Sequence, residues 1–261
     1  MSEDDPKELG FRDPPDKVTC SCLGYMARVT ELREFISFFF GIVKSSDAFA
    51  KSLTPESAKA FSTETEKYRI GKYSFSVHRQ FVNEMMLSRA VETFDLYVLT
   101  VLREIFAAKP EMLKSETAVD AATVIELRNF DDIVFYLAER KLHELSFKPL
   151  SELRKYIESR TGIDLFSSEA EYEVVLLASE VRNLIAHNDC RINDVFKRRT
   201  EKLKDKDKFP VSDSGKFVIE DEWVRRASYA LDNVVFNFDE AVAKKFDIPP
   251  MNRMTSFIWR N

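Results

Sequence analysis

Glycine and proline are scarce in this chain, and their scarcity limits the folds open to it more than any other feature. Its 261 residues include only six glycines and nine prolines, about half the usual share of the two types. Turn-rich β-sandwiches and collagen-like repeats need many more of both, because these residues supply the backbone angles of turns. The sequence therefore predicts a mostly helical protein, long enough to bury a core.

The positions of the glycines exclude several large enzyme classes. No two of them lie close together, so no Gly-x-Gly-x-x-Gly turn, phosphate-binding P-loop or Gly-x-Ser-x-Gly elbow occurs. Rossmann, kinase-like, P-loop and α/β-hydrolase proteins are therefore excluded.

Histidine and cysteine are too few and too scattered to indicate a metal site. They occur at His78, His143, His187, Cys20, Cys22 and Cys190. This set lacks the spacing of a zinc site, so we expect no metal and no other cofactor. Three cysteines suit a reducing compartment, and the acidic start and short apolar runs give no signal peptide or membrane helix. We expect a cytoplasmic protein without membrane contact.

Hydrophobic spacing predicts one helical domain over 18–261, preceded by a disordered acidic lead-in over 1–17. Helices are predicted at about 23–44, 74–107, 117–128, 130–146, 149–161, 168–188 and 220–246. Residues 216–219 are expected to form either a short β element or an extended lead into the last helix. The apolar tail, with Phe257, Ile258 and Trp259, is expected to pack back onto the bundle.

Apolar residues recur at helical spacing on two of these helices, and their side chains are expected in the core. On the long helix they are Val77, Phe81, Met85, Phe94, Val98, Val101 and Ile105. On the last helix they are Trp223, Ala227, Leu231, Val234, Val235, Phe238 and Val242. The Phe-rich first helix is expected to face the core, or to form an interaction surface if its rings are exposed.

An arginine, an asparagine and a histidine lie near the end of the helix predicted over 168–188. The segment reads Glu180-Val-Arg-Asn-Leu-Ile-Ala-His-Asn188. It resembles the signature of the HEPN superfamily, in which Arg, a polar residue, three further residues and His end a late helix of an all-α bundle. Arg182, Asn183 and His187 match this signature at each position.

The resemblance extends beyond the motif and covers about residues 74–246. Family members often continue with Asn, a short turn, a β-branched residue and an Asp before an aromatic residue. Here the chain reads His187-Asn-Asp-Cys-Arg-Ile-Asn-Asp-Val-Phe196, without the glycine that is frequent in that turn. The resemblance implies a helical bundle of HEPN type, with residues 18–70 as an N-terminal helical extension.

The resemblance also implies a function. Such proteins are metal-independent endoribonucleases that cut single-stranded RNA as homodimers, often as toxins or antiphage defence effectors held by an antitoxin or regulatory protein. Arg182, Asn183 and His187 would be the catalytic residues. A histidine can exchange protons with a ribose 2′-hydroxyl and the leaving 5′-oxygen, and a guanidinium can stabilise the charge of the phosphorane.

Two other interpretations of the motif remain open. His187 and Asn188 can cap a helix C-terminus, where a cation complements the helix dipole and Asn tolerates a left-handed turn. The chain can also be a non-catalytic module of the same fold that binds RNA, a nucleotide or a protein, with Arg182 and His187 kept for packing.

Helical geometry separates Arg182 from His187 by about 140° around the axis and about 7.5 Å along it. The same helix is apolar on two sides. Its core stripe is predicted to comprise Val174, Leu177, Val181, Leu184 and Ile185, while Val175, Leu176 and Ala186 point away. A second helix of the bundle can cover this outer side, but an isologous dimer would also bring two copies of the motif together.

A basic run follows the motif. Residues 191–208 contain eight basic and four acidic side chains, in a chain whose net charge is −5. Local positive charge favours nucleic-acid binding, although a solvated charged surface explains the run equally well. The residues expected to contact RNA are Asn188, Arg191, Lys197, Arg198 and Arg199.

Overall fold

The predicted all-α class is confirmed. The computed structural model describes residues 12–52, 54–57, 59–60, 75–114, 119–203 and 210–252. Its helices are α1 (Cys20–Ser52), α2 (Phe75–Ala108), α3 (Ala121–Leu127), α4 (Phe130–Ser146), α5 (Leu150–Thr161), α6 (Glu169–Asn188), α7 (Asp194–Thr200) and α8 (Asp221–Phe246), with a short 3-10 helix at Pro110–Leu113. Two short strands, β1 (Lys17–Val18) and β2 (Met251–Asn252), pair in antiparallel orientation. None of the described helices combines the length and the apolarity that crossing a membrane requires.

Helix α2 is the centre of the bundle, since α1, α4, α6 and α8 all pack against it. The core stripe predicted for this helix is buried only in its C-terminal half. Phe94 and the three later residues of the stripe are fully buried, but Phe81 is 59% and Met85 is 47% exposed. Nine residues separate Met85 from Phe94, which turns a helix by about half a revolution, so the two halves of the stripe face opposite sides. The side chain of Val77 lies outside the described residues.

The last helix agrees with its prediction. In α8 the expected core residues from Ala227 to Val242 are buried, and Trp223 packs partly buried against the same core. Helix α1 is longer than predicted at both ends. Its aromatic side chains do not all face the core, because those of Phe35 and Phe38 are exposed.

The structure describes only part of each end of the chain. Residues 1–11 and 253–261, with the apolar tail, lie outside the described residues. Of the lead-in predicted to be disordered over 1–17, the structure describes residues from Arg12 onward. The Arg12 backbone N–H donates to Asn233 Oδ1 at 3.0 Å, and its guanidinium contacts Asn237 and Glu240. Polar side chains of α8 therefore fix this segment.

Two carboxylates, buried Asp239 and half-buried Glu104, hold the start of α1, which the sequence did not predict. Thr19 precedes the helix, and its Oγ1 accepts from Cys22 N at 3.2 Å. Asp239 of α8 accepts from Thr19 N at 2.9 Å and from Thr19 Oγ1 at 2.5 Å, while Glu104 of α2 accepts from Ser21 N at 2.7 Å. Carboxylates are favourable here because the first N–H groups of a helix lack partners. These hydrogen bonds join the start of α1 to α2 and α8.

Residues 216–219 form an extended lead into α8 rather than a strand. Lys216 and Phe217 make isolated bridges to Arg191 and Val211. The Phe217 N–H donates to Cys190 O at 2.8 Å, and Asn83 of α2 donates to Ile219 O at 2.8 Å. This segment therefore fixes the turn that follows α6.

Candidate functional site

Helix α6, which carries the motif, has a capping arrangement at each end. Ser168 Oγ accepts from Glu171 N at 3.2 Å, and Glu171 Oε2 accepts from Ser167 N at 3.0 Å, an arrangement close to a capping box. After Asn188 the chain turns through two left-handed residues, Asp189 at φ 50° and Cys190 at φ 58°. These are the backbone angles that glycine adopts most easily, so this turn forms without the glycine expected from the resemblance.

The apolar residues on the outer side of α6 are covered within one chain. Val175 is 0% and Leu176 is 8% exposed, because α2, α7 and α8 all pack against this helix. Two-sided apolarity therefore does not by itself require a second copy. The C-terminal part of the outer side, at Ala186 and His187, is exposed.

Arg182 is held by a carboxylate of α2. Its Nη2 lies 2.6 Å from Asp95 Oδ2, with side chains 28% and 38% exposed respectively. Burial raises the pKa of Asp95, and the Arg182 guanidinium offsets part of this effect. Arg182 Nε and Ser179 Oγ, one turn earlier on α6, are buried without a hydrogen-bond partner in the described structure. Asp95 thus fixes the direction of the guanidinium, but the Nε–H group has no hydrogen-bond partner within the described residues.

His187 occupies the last turn of α6 with its side chain exposed. Within the described residues no hydrogen bond or ion pair restrains its ring, and Asn183, one turn earlier, is partly exposed. Arg182 is paired with Asp95 of α2, and His187 lies about 140° around the helix axis from Arg182, so the two residues of one copy project from different sides of α6. The structure brings the three motif residues onto one end of α6, but Arg182 and His187 do not converge there.

Asn188 and Arg191, both expected to contact RNA, close the turn after α6. Asn188 Nδ2 donates to the Arg191 carbonyl, and Arg191 N donates to Asn188 O at 2.8 Å. Beside them, Lys216 lies 2.6 Å from Asp189 and holds the pKa of that carboxyl below its usual range. The Cys190 thiol donates to Glu84 at 3.3 Å; its burial raises the pKa to about 12.

The other three basic residues expected to contact RNA lie on α7 and differ in their contacts. Lys197 and Arg198 are exposed, and Lys197 lies 3.9 Å from Asp194. Arg199 instead turns back onto α6, where its Nη1 lies 3.2 Å from both carboxylate oxygens of Glu180. Glu180 is only 5% exposed, so Arg199 neutralises a buried charge. Residues 204–208 of the basic run lie outside the described structure.

Two residues of this site were missed by sequence reasoning, Asp95 and Glu180. Neither contact has a local signal, because Asp95 is 87 residues from Arg182 and Glu180 is 19 residues from Arg199. In the described part of the chain, no three His, Cys, Asp or Glu side chains are grouped so that they could hold a metal ion.

Comparison of the chain with protein-family models, with curated proteins and with solved structures finds no match. Assignment of a function therefore depends on the geometry and chemistry of the site itself.

Proposed function

We propose that this protein is a metal-independent endoribonuclease of HEPN type that cuts single-stranded RNA in the cytoplasm, as a toxin or antiphage defence effector. Two copies form each site. His187 exchanges protons with the ribose 2′-hydroxyl and the leaving 5′-oxygen, and Arg182 stabilises the charge of the phosphorane. Asn183 hydrogen bonds to the substrate beside them. An antitoxin or regulatory protein would restrain the activity.

The way in which Arg182 is held carries this proposal. Asp95 occupies Nη2, while Nη1 makes no hydrogen bond within the described residues and part of the side chain reaches solvent. A guanidinium fixed on one edge and open on the other can bind a phosphate without first being ordered, which lowers the entropic cost of binding. Exposed His187 lies on the same end of α6.

Convergence of the two groups requires a second copy. Arg182 and His187 of one chain face apart, but a two-fold axis near the end of α6 would place His187 of one copy close to Arg182 of the other. Beside Asp95, Leu96 is 39% exposed, and Ala186 is exposed beside His187. These apolar side chains are available to such an interface.

The proposal is tested by incubating the 261-residue chain in EDTA with a single-stranded RNA and with the DNA of the same sequence. The RNA should be cut to fragments with 2′,3′-cyclic phosphate ends, because the 2′-hydroxyl is the nucleophile, and the DNA should survive. Equal cutting of both, or fragments with 3′-hydroxyl ends, would contradict the mechanism.

The Arg182–Asp95 ion pair also favours a second candidate, a non-catalytic module of the same fold that binds RNA, a nucleotide or a protein. In that case the pair joins α6 to α2 and has no catalytic role. RNA that is bound but left intact in the same assay would favour this alternative.

A further inference from the structure

Helix α4 presents a second face that does not pack into the core. Its core face holds Ala138, Leu142 and Leu145. About 100° around the axis, a separate stripe lies at spacings of three and four residues and comprises Phe130, Ile133, Val134, Leu137, Arg140, Lys141 and Glu144. This second face is therefore as regular as the core face, over a length of about 20 Å.

The first half of this second face is the floor of an apolar cavity of about 610 Å³. Its opposite wall is the 3-10 helix and the residue that follows it, with Leu113 and Lys114. Phe130 at the mouth is 67% exposed, and Ile133, Val134 and Leu137 are half-buried. An open concavity of this size, lined by half-buried apolar side chains, is typical of a binding groove.

The second half of the face is cationic. The adjoining cavity, of about 60 Å³, is lined by four cationic side chains, Lys114, Arg140, Lys141 and Arg160, and by one carboxylate, Glu144. The Tyr156 ring lies between Lys141 Nζ at 5.0 Å and Arg160 Cζ at 5.8 Å from its centroid. Both cavities share Leu113, Lys114 and Leu137. They form one groove with an apolar end and a basic end.

We propose that this α4 groove binds an amphipathic helix of a partner protein that is apolar over two turns and acidic over the next two. The apolar turns would occupy the cavity beside Phe130. The carboxylates would meet Arg140 and Arg160 and would compete with Glu144 for Lys141, whose Nζ lies 2.9 Å from the Glu144 carboxylate. The charge pattern sets the direction of the bound helix, and the length of the groove matches about four helical turns. This inference does not depend on the ribonuclease activity.

A protein helix fits the groove better than a membrane or an RNA strand. A bilayer binds amphipathic surfaces that are convex and carry cations beside the apolar stripe, whereas here the apolar side chains line a concavity and the cations lie at one end. An RNA strand needs cations along its whole path, and the floor from Phe130 to Leu137 has none.

Three fluorescein-labelled synthetic peptides of about 16 residues test the proposal by fluorescence polarisation with the 261-residue chain. The first has Leu at helical spacing in its N-terminal half and Glu in its C-terminal half, the second has Lys in place of Glu, and the third is a scrambled form of the first. The first should bind at least about tenfold more tightly than the others. The double variant Arg140→Glu/Lys141→Glu should reverse the order of the first two.

Two variants on neighbouring surfaces serve as controls. Phe135→Ser removes a ring that is 59% exposed on another side of α4, and Lys155→Glu reverses an exposed charge on α5; neither should alter binding. The proposal is overturned if the acidic peptide binds no better than the scrambled one, or if the double variant leaves the order unchanged. It is also overturned if only phosphatidylcholine vesicles with one fifth phosphatidylserine bind in a groove-dependent way.

Discussion

Replacing His187 with alanine should lower the rate of RNA cleavage in EDTA by about two orders of magnitude or more. General acid and base catalysis by a single histidine is typically worth this factor. The fold should be unaffected, because the side chain is exposed and makes no hydrogen bond or ion pair within the described residues. Initial rates on a labelled RNA, together with the free energy of unfolding, measure both parts of the prediction.

His143 provides a matched control, since it is also exposed in the last turn of a helix, α4. His143→Ala should cut RNA at the rate of the unchanged protein. For Arg182, alanine leaves half-buried Asp95 without its cation, so Arg182→Lys is the better variant. It keeps the charge and removes the forked hydrogen bonds that favour a phosphorane. Equal rates for the unchanged protein, His187→Ala and Arg182→Lys would contradict the catalytic assignment.

Replacing Asp239 with alanine should lower the free energy of unfolding by about 3 to 5 kcal/mol. The carboxylate is 2% exposed and accepts from Thr19 N, from Thr19 Oγ1 and, at 3.3 Å, from Tyr97 OH. Its removal leaves the two Thr19 donors buried and unpaired, at about 1 to 3 kcal/mol each before relaxation, whereas Tyr97 OH keeps Val235 O at 3.3 Å as an acceptor. Denaturant titration measures the loss. Glu240→Ala, at the next position of α8, removes only an exposed ion pair with Arg12 and should lower the free energy of unfolding by no more than about 1 kcal/mol.

The pH dependence of this loss follows from the burial of Asp239, which raises the pKa of the carboxyl. A raised pKa in the folded state contributes stability below the unfolded value of about 3.9 and loses it as pH rises through the folded value. Asp239→Asn cannot titrate. The free energy of unfolding of the unchanged protein, relative to that of Asp239→Asn, should therefore fall as pH rises above about 4. An increase over that range would contradict a raised pKa for Asp239.

Local signals in the sequence were sufficient to place most helices. The prediction of 130–146 matches α4 because Asn129 is a clear N-cap, with its Oδ1 accepting from Asp132 N at 2.8 Å. Helix α8 followed from apolar spacing alone. The same reasoning failed in α2, because Phe81 and Met85 were joined to Phe94 in one stripe across a gap of nine residues.

The contacts that define the candidate site were beyond such reasoning. A sequence shows that Arg182 and Arg199 are cations, but their partners depend on how α6 packs against α2 and α7. Arg199, which was expected to contact RNA, is paired with buried Glu180, while Arg182 is paired with Asp95. Likewise, Val175 and Leu176 indicated a second apolar side correctly, but helices of the same chain cover it.

The activity of a mixed dimer tests most directly whether Arg182 and His187 of two copies form one site. The Arg182→Lys and His187→Ala chains, co-expressed with different tags and purified through both, would form dimers with one intact site and one doubly changed site. Such dimers should cut RNA in EDTA at about half the rate of the unchanged protein, although each variant alone is nearly inactive. A mixed dimer no more active than either variant, or a failure to recover both tags together, would contradict the proposal.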